Sequence, residues 1–302
     1  MIYYYDLRRV PLFLPLFREC GLACASHHRS LVHSALCRLP YINHLPPSFF
    51  YNAPHFEDGS DKIIVFDSNA SLRMLEWLRK NHPEKRLILW YWNESSSSGF
   101  KRVLPEWLEQ WSFSESDCEK YGFRHNTQFF FDCFAEDAAE CRSVKRDNAS
   151  PKVLFIGRDK GRGKIIVEIA DTLRNAGAEV TLEIAPKISG PFKTYREKLL
   201  KLLPYRQVID RVKESDVLLD YTLNPSTGLS LRCMESLFFG KKLITNNRTV
   251  LKADFYSPSN IYVLGEDTRE LRQFLKDPIT EVDDGIRDRY LLSNWLKRFD
   301  LK

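Results

Sequence analysis

Two stretches of this chain gather residue types that could do chemistry. The first is Gly157-Arg-Asp-Lys-Gly-Arg-Gly-Lys164, where glycines are interspersed with Arg158, Lys160, Arg162 and Lys164. Glycine lets a backbone approach a ligand closely. A helix N-terminus offers free N–H groups and partial positive charge, and the basic side chains add formal charge. A diphosphate is the natural guest of such a loop. The spacing matches neither G-x4-G-K-[ST] nor G-x-G-x-x-G, because Gly157 and Gly163 stand six apart and Ile165 follows the lysine. A solvated basic turn is the plain alternative.

The second stretch is Asn224-Pro-Ser-Thr-Gly-Leu-Ser-Leu-Arg-Cys-Met-Glu-Ser-Leu-Phe-Phe-Gly240. Ser226 and Thr227 are good helix N-caps, and Gly228 would let a phosphate approach the helix start. Glu235 falls about two turns into that helix, where a carboxylate could accept two hydrogen bonds from a ribose diol, and Arg232 lies one turn earlier. A surface glutamate on an amphipathic helix is the alternative, weakened by the apolar Leu237, Phe238 and Phe239. In the first half, Asp67 ends the run Val65-Phe-Asp-Ser68 and is the preferred candidate for a general base. It could equally cap the following helix. Asn93 and Glu94, after the next strand, are acceptor-side candidates.

These residues need strands and helices to place them. Apolar runs at Lys62–Phe66, Arg86–Trp92, Lys152–Ile156, Glu179–Ile184, Val217–Tyr221, Lys242–Thr245 and Asn260–Leu264 read as buried parallel strands. Ile2–Tyr5, Trp111–Phe113 and Gln128–Phe131 read as shorter ones. Helical periods fall at Ser71–Lys80, Lys164–Asn175, Gly228–Phe239 and Arg269–Lys276, with a last helix from near Gly285 to Phe299. Ser114 with Asp117 marks a short helix start. Alternating strands and helices are the pattern of an α/β protein. The polar segment ending at Asn148-Ala-Ser-Pro151 sets the expected boundary. That gives a Rossmann-like domain over 1–147, a second over 148–285, and a C-terminal helix over 286–302 that could return to the first. Two such domains predict a cleft facing both sets of strand carboxyl ends.

Composition narrows the function classes. The chain has 302 residues, 43% hydrophobic and 28% charged, which is ordinary for a globular protein and excludes low-complexity classes. The longest apolar candidate, Val10–Phe17, is too short and proline-broken to span a membrane. No clean signal peptide is present, so the expected location is the cytoplasm. Seven cysteines without a secretion signal read as free thiols, and Cys20-Gly-Leu-Ala-Cys24 near His27, His28, His33 and Cys37 lacks the second pair of a zinc site. A net charge of +5 is too mild to imply nucleic acid. Its distribution says more: residues 151–213 hold fourteen Lys/Arg against seven Asp/Glu, which suits an anionic ligand.

At these residues the chain resembles a known superfamily. Phe-Ile-Gly-Arg-x-Lys-Gly at 155–161 is similar to the strand-loop element with which GT-B fold glycosyltransferases place an Arg/Lys pair on the donor diphosphate. Met234-Glu-Ser-Leu-Phe-Phe-Gly-Lys-Lys-Leu-Ile-Thr245 is similar to their E-A-x-A-x-G-x-P-V-I-T element, whose Glu binds the donor ribose. Thr-Gly-Leu-Ser-x-Arg-x-x-Glu, followed by Asp254-Phe-Tyr, Asn260-Ile and Tyr290…Asn294-Trp-Leu-Lys297, looks closer still to bacterial transferases of lipopolysaccharide and capsule assembly. The resemblance covers residues 152–300 well and 62–131 loosely. Many retaining members carry a further Glu eight positions before the ribose Glu, and here that position is Thr227.

The resemblance implies transfer of a sugar from a nucleotide-diphosphate donor to a surface glycan (lipopolysaccharide, O-antigen or capsule). Arg158 and Lys160 would lie on the diphosphate with Gly157, the Ser226–Gly228 helix start on phosphate, and Arg232 and Glu235 on the nucleoside side. No Asp-x-Asp occurs in the sequence, so no metal and no other cofactor is expected, and basic groups would carry the leaving diphosphate. A glycan or lipid-linked glycan is the expected acceptor. Peripheral contact with the inner face of the membrane stays open, because Tyr3, Tyr4, Phe13, Phe17, Phe49, Phe50 and Tyr51 are many aromatics for one region. Two rivals also stay open: a transferase-like partner subunit without catalysis, and a sugar-nucleotide epimerase of the same architecture. The second would need acid/base groups in a half of the chain that holds no histidine.

Overall fold

The computed structural model describes residues 2–3, 13–24, 31–36, 39, 42, 44–51, 61–67, 71–93, 104–144, 150–185, 203–225 and 228–300. Glu94, Ser226 and Thr227 lie outside the described residues, as do Lys187, Lys193, Arg196, Lys198 and Lys201. The chain divides into two compact units, Met1–Thr127 and Gln128–Lys302. Both are α/β with parallel sheets, as the alternating pattern predicts.

The first unit holds β1 (Ile2–Tyr3), β2 (Lys62–Phe66), β3 (Arg86–Tyr91), β4 (Glu109–Ser112) and β5 (Arg124–His125), hydrogen-bonded in that order. Ile63, Ile64, Val65 and Phe66 are all buried, which is why β2 reads as an unbroken apolar run rather than an alternating one. The helix Leu72–Asn81 starts at Ser71, whose hydroxyl accepts from Met74 N at 3.3 Å. Met74, Leu75, Trp77 and Leu78 form its buried face. The helix Glu115–Tyr121 is capped by Ser114, as its sequence signature predicts. Phe17, Phe50 and Tyr51 are core residues with exposures of 0%, 0% and 5%, so their aromatic character serves packing and not a membrane surface. No helix of the described residues is long and apolar enough to cross a membrane.

The second unit holds β6 (Lys152–Arg158), β7 (Glu179–Ala185), β8 (Val217–Asp220), β9 (Lys242–Thr245) and β10 (Ile261–Val263). Their order is β10-β9-β8-β6-β7. The chain therefore starts in the sheet at β6, adds β7 on one side, then crosses to the other side for β8 and the rest. This reversal between β6 and β8 is a topological switch point. Connections leave the two strands in opposite directions there and open a crevice outside their carboxyl ends. Among the described strands of the first unit the order never reverses.

Three expectations are corrected. Gln128–Phe131 is not a strand: only Phe130 makes a bridge, to Leu291, and Phe129, Phe130 and Phe131 are fully buried. Phe130 stacks on Phe238 at 4.4 Å and Phe131 lies 5.8 Å from Tyr205, so this segment joins the second unit although the expected boundary falls at 147/148. The last helix is two helices, Asp284–Arg289 and Leu292–Arg298. Between them Phe130 N donates to Tyr290 O at 2.7 Å and Leu292 N to Phe130 O at 2.8 Å, which draws Leu291 into an extended conformation. The final helix packs Trp295 on Phe129 at 4.7 Å, within the second unit. Third, the helix expected from Gly228 begins at Leu231, and its cap is Ser230, which accepts from Cys233 N at 3.3 Å.

Candidate functional site

The switch point places both chemistry-bearing stretches together. The loop after β6 leaves from Arg158 and the segment after β8 leaves from Asp220. Lys160 has φ +50° and Gly161 φ +90°, so two successive residues sit in the left-handed region. Gly161 adopts it freely, whereas Lys160 is strained. The turn ends at the helix Gly163–Asn175. Asp159 Oδ1 accepts from Gly163 N at 2.6 Å and satisfies one of the free N–H groups. A Cβ on residue 163 would lie 2.7 Å from that oxygen, so the glycine is what lets Asp159 approach.

Arg162 lies over the Phe155 ring at 5.4 Å, and its guanidinium donates to Arg158 O. Arg232 reaches from the helix Leu231–Phe239 and donates to Ile156 O at 3.0 Å. Two cations, Arg162 and Arg232, thus converge on the last residues of β6. Burial and the Arg162 charge hold Lys160 below the usual lysine range, opposed by Asp220. Arg162 is lowered too, first by burial and then by Arg232, again opposed by Asp220. The Nη2 atom of Arg158 is buried with no hydrogen-bond partner among the described residues. Crowded, partly desolvated cations with donors to spare form a site for an anion. Gly157 lies beside this group, 3.6 Å from Arg162 Nη2 when a Cβ is built on it.

Glu235 is not presented to solvent as a ribose contact would suggest. It is 1% exposed. Its Oε1 accepts from Tyr205 OH at 2.9 Å, and its Oε2 is ion-paired with Arg232. Burial raises its pKa, against the opposing pull of Arg232 and Tyr205. The apolar flank of the helix dictates this: Met234, Leu237, Phe238 and Phe239 are all buried, and Glu235 goes in with them. The carboxylate is the counterion that holds Arg232 in place.

Asp220 and Tyr205 belong to the site and were not expected there. Asp220 ends β8, is 8% exposed, and accepts from Ser230 Oγ at 2.8 Å. An acidic residue closing the apolar run Val-Leu-Leu was the available signal. Tyr205 opens the helix Tyr205–Glu214, and nothing in its sequence neighbourhood announces the contact with Glu235. Asn246 and Asn247, after β9, pin the segment that follows β8. Asn246 exchanges hydrogen bonds with the Thr222 backbone at 2.7 and 2.8 Å, and Asn247 Nδ2 donates to Gly228 O at 3.1 Å.

The first unit carries a separate candidate. Asp67 follows β2 and is 2% exposed. Its Oδ1 accepts from Trp92 N at 3.1 Å and Asn93 Nδ2 at 3.5 Å, while its Oδ2 is buried without a partner among the described residues. Burial pushes its pKa up to about 7, against those two hydrogen bonds. Asp67 does not cap the following helix, since Ser71 does. Asn93 is therefore positioned on Asp67.

No family model and no curated protein matches the chain. Among solved structures, the catalytic domain of starch synthase IV from Arabidopsis thaliana, bound to ADP and acarbose, is 12% identical with a TM-score of 0.43; the match covers 80% of this chain and 66% of that one. The DNA-modifying enzyme β-glucosyltransferase, studied in the presence and absence of uridine diphosphoglucose, is 11% identical with a TM-score of 0.42, covering 99% and 94%. The chain spans just under two thirds of the starch synthase domain. Both scores are too low for the likeness to bear on the site, which rests on the strand order and the side chains above.

Proposed function

We propose that the chain is a glycosyltransferase that takes a sugar from a nucleotide-diphosphate donor held at the switch point of the second unit. One observation carries the reading: Arg162 and Arg232 converge on the carboxyl end of β6, with Lys160 under the Arg162 charge, beside an Arg158 guanidinium with a buried nitrogen unpartnered among the described residues. The donor diphosphate takes the place among them that no carboxylate fully occupies. Glu235 holds Arg232, and Tyr205 holds Glu235.

The acceptor hydroxyl attacks the anomeric carbon of the donor sugar. A C–O bond forms, the bond from that carbon to the diphosphate oxygen breaks, and the nucleoside diphosphate leaves with the electron pair. Arg158, Lys160, Arg162 and Arg232 stabilise that developing charge, as preorganised cations do in a partly desolvated site. Within the first unit, Asp67 is the candidate general base, and its pKa of about 7 suits a base working near neutral pH. Asn93 orients the Asp67 carboxylate, and Glu94 remains an acceptor-side candidate. The lipopolysaccharide and capsule resemblance of residues 152–300 supports a surface-glycan acceptor, with the reaction run without a metal at the inner face of the cytoplasmic membrane. The test is release of nucleoside diphosphate from UDP-, GDP- and ADP-sugars with glycan acceptors, lost in Asp67→Asn and Arg158→Ala.

One observation favours a second reading, a transferase-like partner subunit without catalysis. Both oxygens of Glu235 are occupied within the chain, and Thr227 stands where many retaining relatives carry a carboxylate. Donor binding without turnover by any acceptor would decide for it.

A further inference from the structure

The anion site contains a carboxylate that the donor reading leaves unexplained. Asp220 stands at the carboxyl end of β8, next to β6, with which β8 pairs at Val153 and Leu154. Its Oδ2 is held by Ser230 Oγ at 2.8 Å, and Ser230 also caps the helix that carries Arg232. Its charge reaches both Lys160 and Arg162. Among the described residues no ion pair ties it to a cation, so it is not the counterion that Glu235 is to Arg232. A negative charge fixed among cations that bind an anion weakens that binding, and a feature that weakens binding calls for a reason.

The two ends of the proposed reaction supply one. In a nucleotide sugar each phosphate of the diphosphate carries one ester and one anhydride bond, and one charge. The nucleoside diphosphate left after transfer ends in a phosphate attached only through the anhydride, whose second ionisation lies near pH 6, so it carries about one charge more at neutral pH. Uniformly cationic clusters favour the product over the donor. A fixed carboxylate opposes both ligands, and the more highly charged product more than the donor.

We propose that Asp220 is a specificity-determining residue that tunes the site toward the diphosphate diester of a sugar nucleotide and against the unesterified terminal phosphate of a free nucleoside diphosphate. This rests on the donor reading given above. Ser230 fixes the carboxylate so that it cannot turn away when the product forms, and Arg232, two residues on, supplies the opposing charge.

The experiment is calorimetric titration of wild type and Asp220→Asn with UDP and UDP-glucose, GDP and GDP-mannose, and ADP and ADP-glucose. Asparagine keeps an oxygen for Ser230 and removes the charge. For the pair that binds, wild type is expected to hold the sugar nucleotide at least as tightly as its diphosphate. Asp220→Asn is expected to tighten the diphosphate by about tenfold, the effect of one nearby charge, and the sugar nucleotide by less. Equal tightening of both, or weakening of the diphosphate, overturns the proposal. The wild-type comparison stands without the variant: a diphosphate bound tenfold or more tighter than its sugar ester also overturns it. If wild type binds none of these six ligands, the donor reading itself fails, an outcome distinct from failure of the Asp220 role.

Discussion

Tyr205 donates its hydroxyl hydrogen to Glu235 across 2.9 Å, inside a unit where both side chains are buried. The bond joins the first turn of one helix to the middle of another, and Arg232 completes it from one turn before Glu235. Arg232 in turn donates to Ile156 O. A chain of contacts thus runs from a buried phenol to the strand end where the donor site is proposed. Tyr205 is held well above the usual tyrosine range, first by burial and then by the Glu235 charge, so it stays a donor across all working pH values.

Glu235→Ala should strand Arg232 without its buried counterion. Removing one partner of a buried pair typically costs about 3–5 kcal/mol. Tyr205→Phe removes one hydrogen bond to a charged group and should cost about 1.5–3 kcal/mol. Urea denaturation of both variants checks the order. A Glu235→Ala variant as stable as wild type would mean that the carboxylate is free to serve a ligand instead.

Arg158→Ala should lower turnover more than it lowers affinity for the nucleotide. The side chain would act on charge that develops as the diphosphate leaves, and such contacts appear in kcat. Steady-state kinetics with the active sugar nucleotide reads this directly. An equal loss in affinity and turnover would place Arg158 on the bound donor only.

Lys160→Gly should relieve the positive-φ strain and remove a desolvated cation, with a gain of about 1 kcal/mol in stability, while weakening nucleotide binding. The lysine pKa is depressed in the fold, so the unfolded chain holds its proton to higher pH. Wild-type stability should rise as pH climbs from the folded pKa toward the ordinary value of 10.5, and Lys160→Gly should lack that rise. Thermal melts at several alkaline pH values settle the sign. Loss of both stability and binding would mean that the lysine supports the turn.

Asp67→Asn should separate stability from activity. The folded carboxyl keeps its proton up to about pH 7, whereas the unfolded one loses it near 3.8. Its contribution is therefore complete below pH 3.8 and lost as pH rises through about 7, a difference of roughly 4 kcal/mol in all. The asparagine carries no charge and keeps the acceptor for Trp92 N. Its stability should hardly change over that window, so it should be the more stable protein at pH 8 and the inactive one. Parallel pH curves for the two proteins would contradict the buried, ionising carboxylate.

Much of the second unit was legible because β8 and β9 are buried along their whole length and β6 is buried over Val153, Leu154 and Phe155. Runs such as Val153-Leu-Phe-Ile156 and Val217-Leu-Leu-Asp220 have few other readings when glycines and helical periods flank them. The same logic failed at Gln128–Phe131, since an apolar run is equally a buried extended connection, and only the partners Phe238 and Tyr205 distinguish the two. The break at Tyr290–Leu291 left no mark because Leu291, Trp295 and Phe299 keep a helical spacing through it. In the site, Arg158, Lys160 and Arg232 were found by local pattern. Tyr205 and the burial of Glu235 come from packing between helices far apart in sequence, which no local pattern carries.

The most direct measurement is thermal stabilisation by nucleoside diphosphates and their sugars, on wild type and on a Lys160→Ala/Arg162→Ala double variant. Anything that binds only the folded state raises the melting temperature with concentration. A selective rise with one nucleotide family, lost in the double variant, is the predicted result. No rise with any of them, or a rise that survives removal of both cations, would contradict a donor site at the switch point between β6 and β8.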